Sequence, residues 1–321
     1  MKKQILRALF VVSLWISTGA PAIADSYPSK AIRIITPNSA GSGTDVIARG
    51  LAQQLSVNMA VPLVVDNVPG AGGILGTEAL IRAPHDGYTI SIVTSNHVIF
   101  PHLFKNLRFD ALKDVTPVAL IMEGPLVLVA RPNFPANDVA QLAALAKAGK
   151  QITMGSSGNG TILHLAGVYL QMSGGFKMMH VPYKGAGPVV PDVVSGIIDV
   201  AFFSLPTVES MVKTGRLKIL GSTSAKAIPF LPGVRPIADF LPGFEVEAFV
   251  AVLAPAGVNS EIVSRLNSEV AKGANSDEFR SLLRTQGFEL KLMAPEPLKL
   301  YLAEEYKKYG DIVKRSNTVI E

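Results

Sequence analysis

ITPNSAGSGTDVIARG, residues 35–50, joins a strand to a helix through a loop of small residues. Ile32, Ile34, Ile35 and Thr36 supply the β-branched run, and Val46, Ile47, Leu51 and Leu55 share one helical face. A strand, a flexible loop and a helix in that order make an anion site, because the first helical amides point outward unpaired. No lysine or arginine lies between Pro37 and Asp45. Neutral donors of this kind suit a carboxylate; a phosphate would more often recruit arginine or lysine.

Further along the chain the same grammar returns. Strands are predicted at 32–36, 63–66, 90–94, 118–121, 126–130, 178–182, 200–203, 217–222 and 249–254, with helical patterns between many of them. ITMGSSGNGTILHLAG, residues 152–167, repeats strand, glycine- and serine-rich loop, threonine and helix. Alternation of this kind predicts an α/β protein with largely parallel sheets in two lobes, with ligand beyond the strand C-termini. Residues 259–321 read as three helices without strands, starting near Asn259 or Ser260, Ser276 and Pro295.

The chain of 321 residues is 48% hydrophobic and 17% charged, which is a core-forming composition. It has no cysteine, which excludes disulfides, thiolate metal sites and a cysteine nucleophile. Lys2, Lys3 and Arg7 precede an apolar run from Ala8 to about Ile16, and Ala22-Ile23-Ala24 closes it. Residues 1–24 thus read as a secretory signal peptide cut after Ala24, the run being shorter than the roughly 20 residues a membrane span needs. The whole chain holds 30 basic and 25 acidic residues; without Lys2, Lys3 and Arg7 it holds 27 against 25, a net +2. That balance, without a basic cluster, gives no footprint for nucleic acid.

The enzymatic signatures fail in detail. Gly41-x-Gly43, Gly70-x-Gly72 and Gly158-x-Gly160 are followed by Val46, Leu75 and Leu163 where a dinucleotide fingerprint needs a third small residue. There is no Gly-Lys-Ser/Thr loop and no G-x-S-x-G elbow, and histidines 85, 97, 102, 164 and 180 are scattered. Two residues keep open alternatives. Asp45 is a general base or a first-turn carboxylate favoured by the helix macrodipole. His164 reaches a ligand or packs a helix.

The motifs in combination resemble the solute receptors of the tripartite tricarboxylate transporters, the Bug-type or TctC-like periplasmic binding proteins. They run YPSKAIRIITPNSAGSGTDVIAR, VVDNVPGAGGILGTEAL, APHDGYTI, TSNHVIFPHLF, GSSGNGTILHLAG, HVPYKGAGPVVPDVVSGIIDVAFFS, GRLKILGST, LPGFEVEAF and APAGV, in the family's order. The resemblance implies a two-lobed type II periplasmic binding protein fold, two mostly parallel sheets flanked by helices and joined by two crossover hinge segments. Lobe 1 is expected over 25–124 and 253–321, lobe 2 over 125–252. It implies no enzyme, no cofactor and no metal. The partners it implies are a small organic acid and a permease with a small and a large membrane subunit; a receptor feeding a two-component sensor kinase is the alternative.

The expected ligand site draws Asn38, Ser39, Ala40, Gly41, Ser42, Gly43, Thr44 and Asp45 from the first loop, and Ala71 and Gly72 from a second glycine turn. Thr94, Ser95 and Asn96 follow, then Ser156, Ser157, Gly158, Gly160, Thr161 and His164 from the repeated loop, and Lys184, Gly185 and Ser204. Lys184 is a partner for a second carboxylate or an ordinary surface lysine. Gly43→Val is expected to weaken binding, by resisting a left-handed backbone and by crowding the ligand. Asn38, Ser42 and Phe249 depart from the family's usual aromatic, glycine and tryptophan, and Val234-Arg235-Pro236 from its Val-Pro-Thr.

Overall fold

The computed structural model describes residues 27–70, 73–104, 107–228, 231–286 and 288–316. The signal-peptide segment and the pair Ala71 and Gly72 lie outside the described residues.

The first half of the chain gives β1 (Ile32–Thr36), α1 (Gly43–Met59), β2 (Leu63–Asn67), α2 (Ile74–Ile81), β3 (Thr89–Thr94) and α3 (Asn96–Ile99). A long strand β4 (Val115–Ala130) leads to α4 (Val139–Lys147), β5 (Thr153–Ser156), α5 (Ile162–Gly174), β6 (Met179–Pro182) and α6 (Val189–Ser195). Then come β7 (Val200–Ser204), α7 (Leu205–Lys213), β8 (Lys218–Ser222) and β9 (Glu247–Pro255). The last part is α8 (Ser260–Ala274), α9 (Asp277–Thr285), β10 (Glu289–Met293) and α10 (Pro295–Ser316).

The strands pair in the order β2-β1-β3-β9-β4-β7-β5-β6, with β8 and β10 added on β4. The outer strands carry the parallel pairing the sequence predicts: β1 with β2 and β3, and β5 with β6 and β7. The centre is antiparallel, where β9 lies between β3 and β4. β4 replaces the two strands predicted at 118–121 and 126–130. Its first part pairs with β9 and its end pairs with β7 and β8, so one strand serves both halves of the sheet. Register shifts beside Pro117 let the ladder continue past it. β10 corrects the expectation of helices only after residue 259.

Alternation builds the layers. Along β4, Leu126, Leu128 and Ala130 face α4 and α5, while Val127 and Val129 face α6 and α7. In the other half, Ile34, Ile90 and Val252 pack under α1, α8 and α9; Ile35, Val93 and Leu253 pack under α2, α3 and α10. Leu165 and Val168 of α5 join this second cluster beside α10, so α5 is buried from both directions. Among the described residues no helix is long and apolar enough to cross a membrane.

Candidate functional site

β1 and β5 each end in a loop that turns directly into a helix, and both helices open on one cavity of about 510 Å³. Ser42 caps α1 by accepting the Asp45 N–H at 3.3 Å, and Thr161 caps α5 by accepting the His164 N–H at 3.4 Å. Each cap satisfies the third helical amide. The first two amides have no partner inside a helix. These belong to Gly43 and Thr44 on one side and Ile162 and Leu163 on the other, and all four residues line the cavity. Amides at a helix start, with the dipole behind them, favour a negative charge.

The loop residues divide between holding the site and facing it. Gly41 donates its N–H to Asp45 Oδ2 at 2.9 Å, and Ser42 donates its own to the Ser39 carbonyl at 3.2 Å. Those two amides are therefore spent within the loop, although Gly41 and Ser42 are among the expected ligand residues. Ser39, Ala40 and Gly41 are exposed and off the cavity wall. Gly41 has φ +79°, while Gly43 opens the helix without a positive φ, so the left-handed position is Gly41 and not Gly43. A Cβ on Gly43 would instead stand 3.3 Å from Gln286 Oε1.

Asp45 is buried, at 3% exposure, and off the cavity lining. It also accepts from Asn67 Nδ2 at 2.9 Å and Arg49 Nε at 3.0 Å. Burial opposes its ionisation, but the bonds from Arg49, Gly41 and Asn67 outweigh that and hold its carboxyl below the usual carboxylate range. Asn67 further donates to the Asn38 carbonyl at 3.1 Å, so Asn38 is steadied where it meets the cavity. The carboxylate is a loop fastener, as its place in the first turn suggests.

The second loop is fastened by hydroxyls and imidazoles. Ser156 Oγ meets His180 Nε2 at 2.7 Å and accepts the Gly158 N–H at 3.2 Å. Gly160 donates to His164 Nδ1 at 3.0 Å, and His164 stacks on His180 with ring centroids 3.8 Å apart. Burial first, then the neighbouring His180, pushes His164 down to about 3; burial pushes His180 down to about 4. Both rings are neutral at pH 7. His164 packs the helix, and Ser156, Gly158, Gly160 and His164 stand behind the wall, leaving Ser157 and Thr161 on it. Gly158 has φ +129°, and a Cβ there would come 3.2 Å from the Tyr183 carbonyl. Gly185 donates its N–H to the Ser157 carbonyl at 3.2 Å, tying this loop to the next turn. Lys184 is exposed and off the lining.

Thr94, Ser95, Asn96 and Ser204 also reach the cavity. Several lining residues escape sequence reasoning. Met122 and Leu126 of β4, with Ala248, Phe249 and Val250 of β9, add apolar surface; Phe203, Pro206 and Thr207 come from the β7–α7 junction. Thr285, Gln286 and Phe288 arrive from the end of α9, with only the C-terminal position of Gln286 after a helix as a signal. Among the described residues, none in the lining carries a charged side chain. Among the described residues no cluster of three or more His, Asp or Glu is arranged to hold a metal. Beyond the crossing strands, Glu123, Glu245, Glu247 and Glu289 surround a separate hollow of about 390 Å³. Burial, then Glu123 and Glu245, pushes Glu247 up to about 7.

Residues 47–318 match the tripartite tricarboxylate transporter family receptor. The chain belongs to that family. The receptor is 27% identical to the solved periplasmic binding protein BugD, covering 92% of this chain and 100% of that one, with a TM-score of 0.79. It is 28% identical to Rpa4515 of R. palustris, solved with adipate, over 91% of this chain and 99% of that one, with a TM-score of 0.81. It is 27% identical to MatC of Rhodopseudomonas palustris, solved with bound malate, over 89% of this chain and 100% of that one, with a TM-score of 0.78. The fold is that of the periplasmic binding proteins, and the receptor is a solute-binding protein and not an enzyme.

Proposed function

We propose that this receptor captures one small organic carboxylate in the cleft between two lobes and delivers it to a membrane permease of two unlike subunits. The observation that carries the reading is the pair of helix starts: Gly43, Thr44, Ile162 and Leu163, the first two positions of α1 and α5, line one cavity, and among the described residues none in its lining carries a charged side chain. Four fixed donors stabilise an anion without a cation, because their dipoles need no reorientation when the charge arrives. Adipate and malate in the two solved relatives support the ligand class.

The lobes are taken as 25–124 with 253–321, and 125–252, with β4 and β9 as the crossings. Ligand held between α1 and α5 would draw the lobes together, as in other hinged receptors. The protein works in the periplasm after removal of residues 1–24, in keeping with the n-, h- and c-region pattern of that segment. Freshly purified protein, denatured and analysed by mass spectrometry, should release one carboxylic acid in a stoichiometric amount, unaltered on incubation. Release of a neutral compound only, or turnover of the acid, would overturn the reading.

A further inference from the structure

We infer that Gln286 is a ligand-contacting residue, whose side-chain amide donates to the carboxylate held at the start of α1. The inference rests on the carboxylate-receptor reading and adds a recognition residue to that same site. Gln286 is the C-cap of α9 and lines the cavity. Its Oε1 lies 3.3 Å from where a Cβ on Gly43 would stand, and Gly43 is the first residue of α1. The backbone N–H of Gln286 is spent on the carbonyls of Leu282 and Leu283, at 3.1 and 3.0 Å. Among the described residues its side-chain amide has no hydrogen-bond partner.

The packing of α9 on α1 puts the amide there. A Cβ on Gly50 would come 2.2 Å from Leu282 Cδ2 and 3.5 Å from Phe279 Cδ2, so α9 lies against bare backbone of α1. Gly43 precedes Gly50 by two helical turns on one face of α1, and Gln286 follows Leu282 by one turn on one face of α9. The two helices therefore run in opposite senses, and the chain leaving α9 arrives at the start of α1. Phe279 and Leu283 are buried in one cluster with Ile47 and Leu51, which holds this arrangement. Opposite senses also bring the negative end of α9 toward an anion, which alone opposes binding. That end is muted, because Thr285 Oγ1 donates to the Leu282 carbonyl at 2.7 Å, beside the bonds from the Gln286 N–H. A carboxamide offers an acceptor and two donors, and a half-turn about its last bond exchanges them. Its carbonyl suits the unpaired amides of α1, and its NH2 suits a carboxylate bound to them.

Calorimetric titration of the ligand-stripped, signal-free protein tests this, with malate, adipate, benzoate and whatever acid the purified protein releases on denaturation as probes. Gln286→Met keeps the length and loses the amide. For the acid that the parent binds most tightly, its affinity should fall roughly ten-fold or more, the share of one hydrogen bond to a charged group. Gln286→Glu sets a negative charge beside the carboxylate and should bind more weakly still. Gln286→Lys returns a donor and should recover the parent's affinity or exceed it. The melting temperature of unliganded Gln286→Met should match the parent's. A Gln286→Met protein that binds within about three-fold of the parent would overturn the contact and leave the carboxylate receptor standing. So would an affinity loss that comes with a lowered melting temperature and is not recovered in Gln286→Lys. A parent that binds none of these acids at about 1 mM would overturn the receptor reading and this inference with it.

Discussion

Ser95 Oγ accepts the backbone N–H of Phe249 at 2.9 Å, joining the end of β3 to β9 across 154 residues of sequence. Ser95 is 1% exposed and Phe249 equally so, and both touch the cavity. This bond fixes the wall on which a ligand would rest. Ser95→Ala leaves the Phe249 N–H buried without that acceptor. The expected cost is about 1–3 kcal/mol of stability. Urea denaturation checks it, and an unchanged midpoint would show that the N–H finds another partner.

Asp45→Asn should cost more than an ordinary helix-cap change. The carboxylate takes bonds from Gly41, Asn67 and Arg49, and an amide in its place presents hydrogens to at least one of these donors. Hydrogen bonds to charged groups are worth about 1.5–3 kcal/mol, so a loss of that order is expected in urea. Binding should fall too, since the loop that carries Gly43 and Thr44 loses its fastening. Equal stability of the variant and the parent would remove Asp45 from this role.

The three neighbouring positions in the first loop should separate by mechanism. Gly41→Ala strains a φ of +79° and should destabilise by about 1–2 kcal/mol, with little direct effect on ligand contact because the space around it is open. Gly43→Val leaves the backbone relaxed but crowds Gln286 and the cavity, so its loss should appear in affinity. Thr44→Ala should weaken binding by roughly 10- to 150-fold if its hydroxyl meets the carboxylate, from about 1.5–3 kcal/mol per charge-assisted bond. Calorimetry on variants confirmed folded by circular dichroism distinguishes the three. A Gly43→Val protein that binds like the parent would move the site away from α1.

Acid should destabilise the protein through its buried histidines. His97 is pushed down to about 4 by burial, against the hydrogen bond to Ala111; His164 and His180 lie at about 3 and 4. Below pH 6.5 the unfolded chain takes protons on all three that the folded chain refuses. Their contribution is therefore intact above pH 6.5 and lost as pH falls toward 4, by at most about 1.4 kcal/mol per pH unit for each ring. Glu247 has the opposite sign, because its folded value of about 7 exceeds the unfolded one; its ionised form opposes folding above pH 7. Melting temperatures from pH 8 to 5 should fall less steeply in His97→Gln than in the parent. Glu247→Gln should stabilise at pH 8 and do little at pH 5. Parallel curves for parent and variants would exclude these groups.

Much of the architecture was legible in the sequence because local signals and tertiary placement agree. Ile32–Thr36 and the stripe Ile47, Leu51, Leu55 each have a period that matches the element they form. α8 and α9 start after Asn259 and Ser276, whose side chains cap them, and α10 opens on Pro295 as its first residue. The single strand through Gly124-Pro125 was not legible, since a proline and a glycine side by side mark a turn unless neighbouring strands hold them extended. β10 is half-exposed and alternates charged with apolar residues, which local pattern alone does not distinguish from a helix edge. In the site, the loops announced themselves through glycine and hydroxyl residues. Which amides point outward depends on bonds such as Gly41 to Asp45, and the apolar wall comes from strands whose facing is settled only by the central antiparallel pairing.

β4 runs unbroken for 16 residues, and each half of the sheet completes its hydrogen-bond ladder on it. Neither half therefore owns all of its strands. A chain cut after Gly124 would leave β7 and β8 on Leu126–Ala130, but would part β9 from Val115–Gly124, nearly all of its ladder with β4. Any relative movement of the two halves must be absorbed as bending and twisting along a shared ribbon, not as swivelling about a slack linker. The restoring force of that ribbon would then set how far apart they rest when empty.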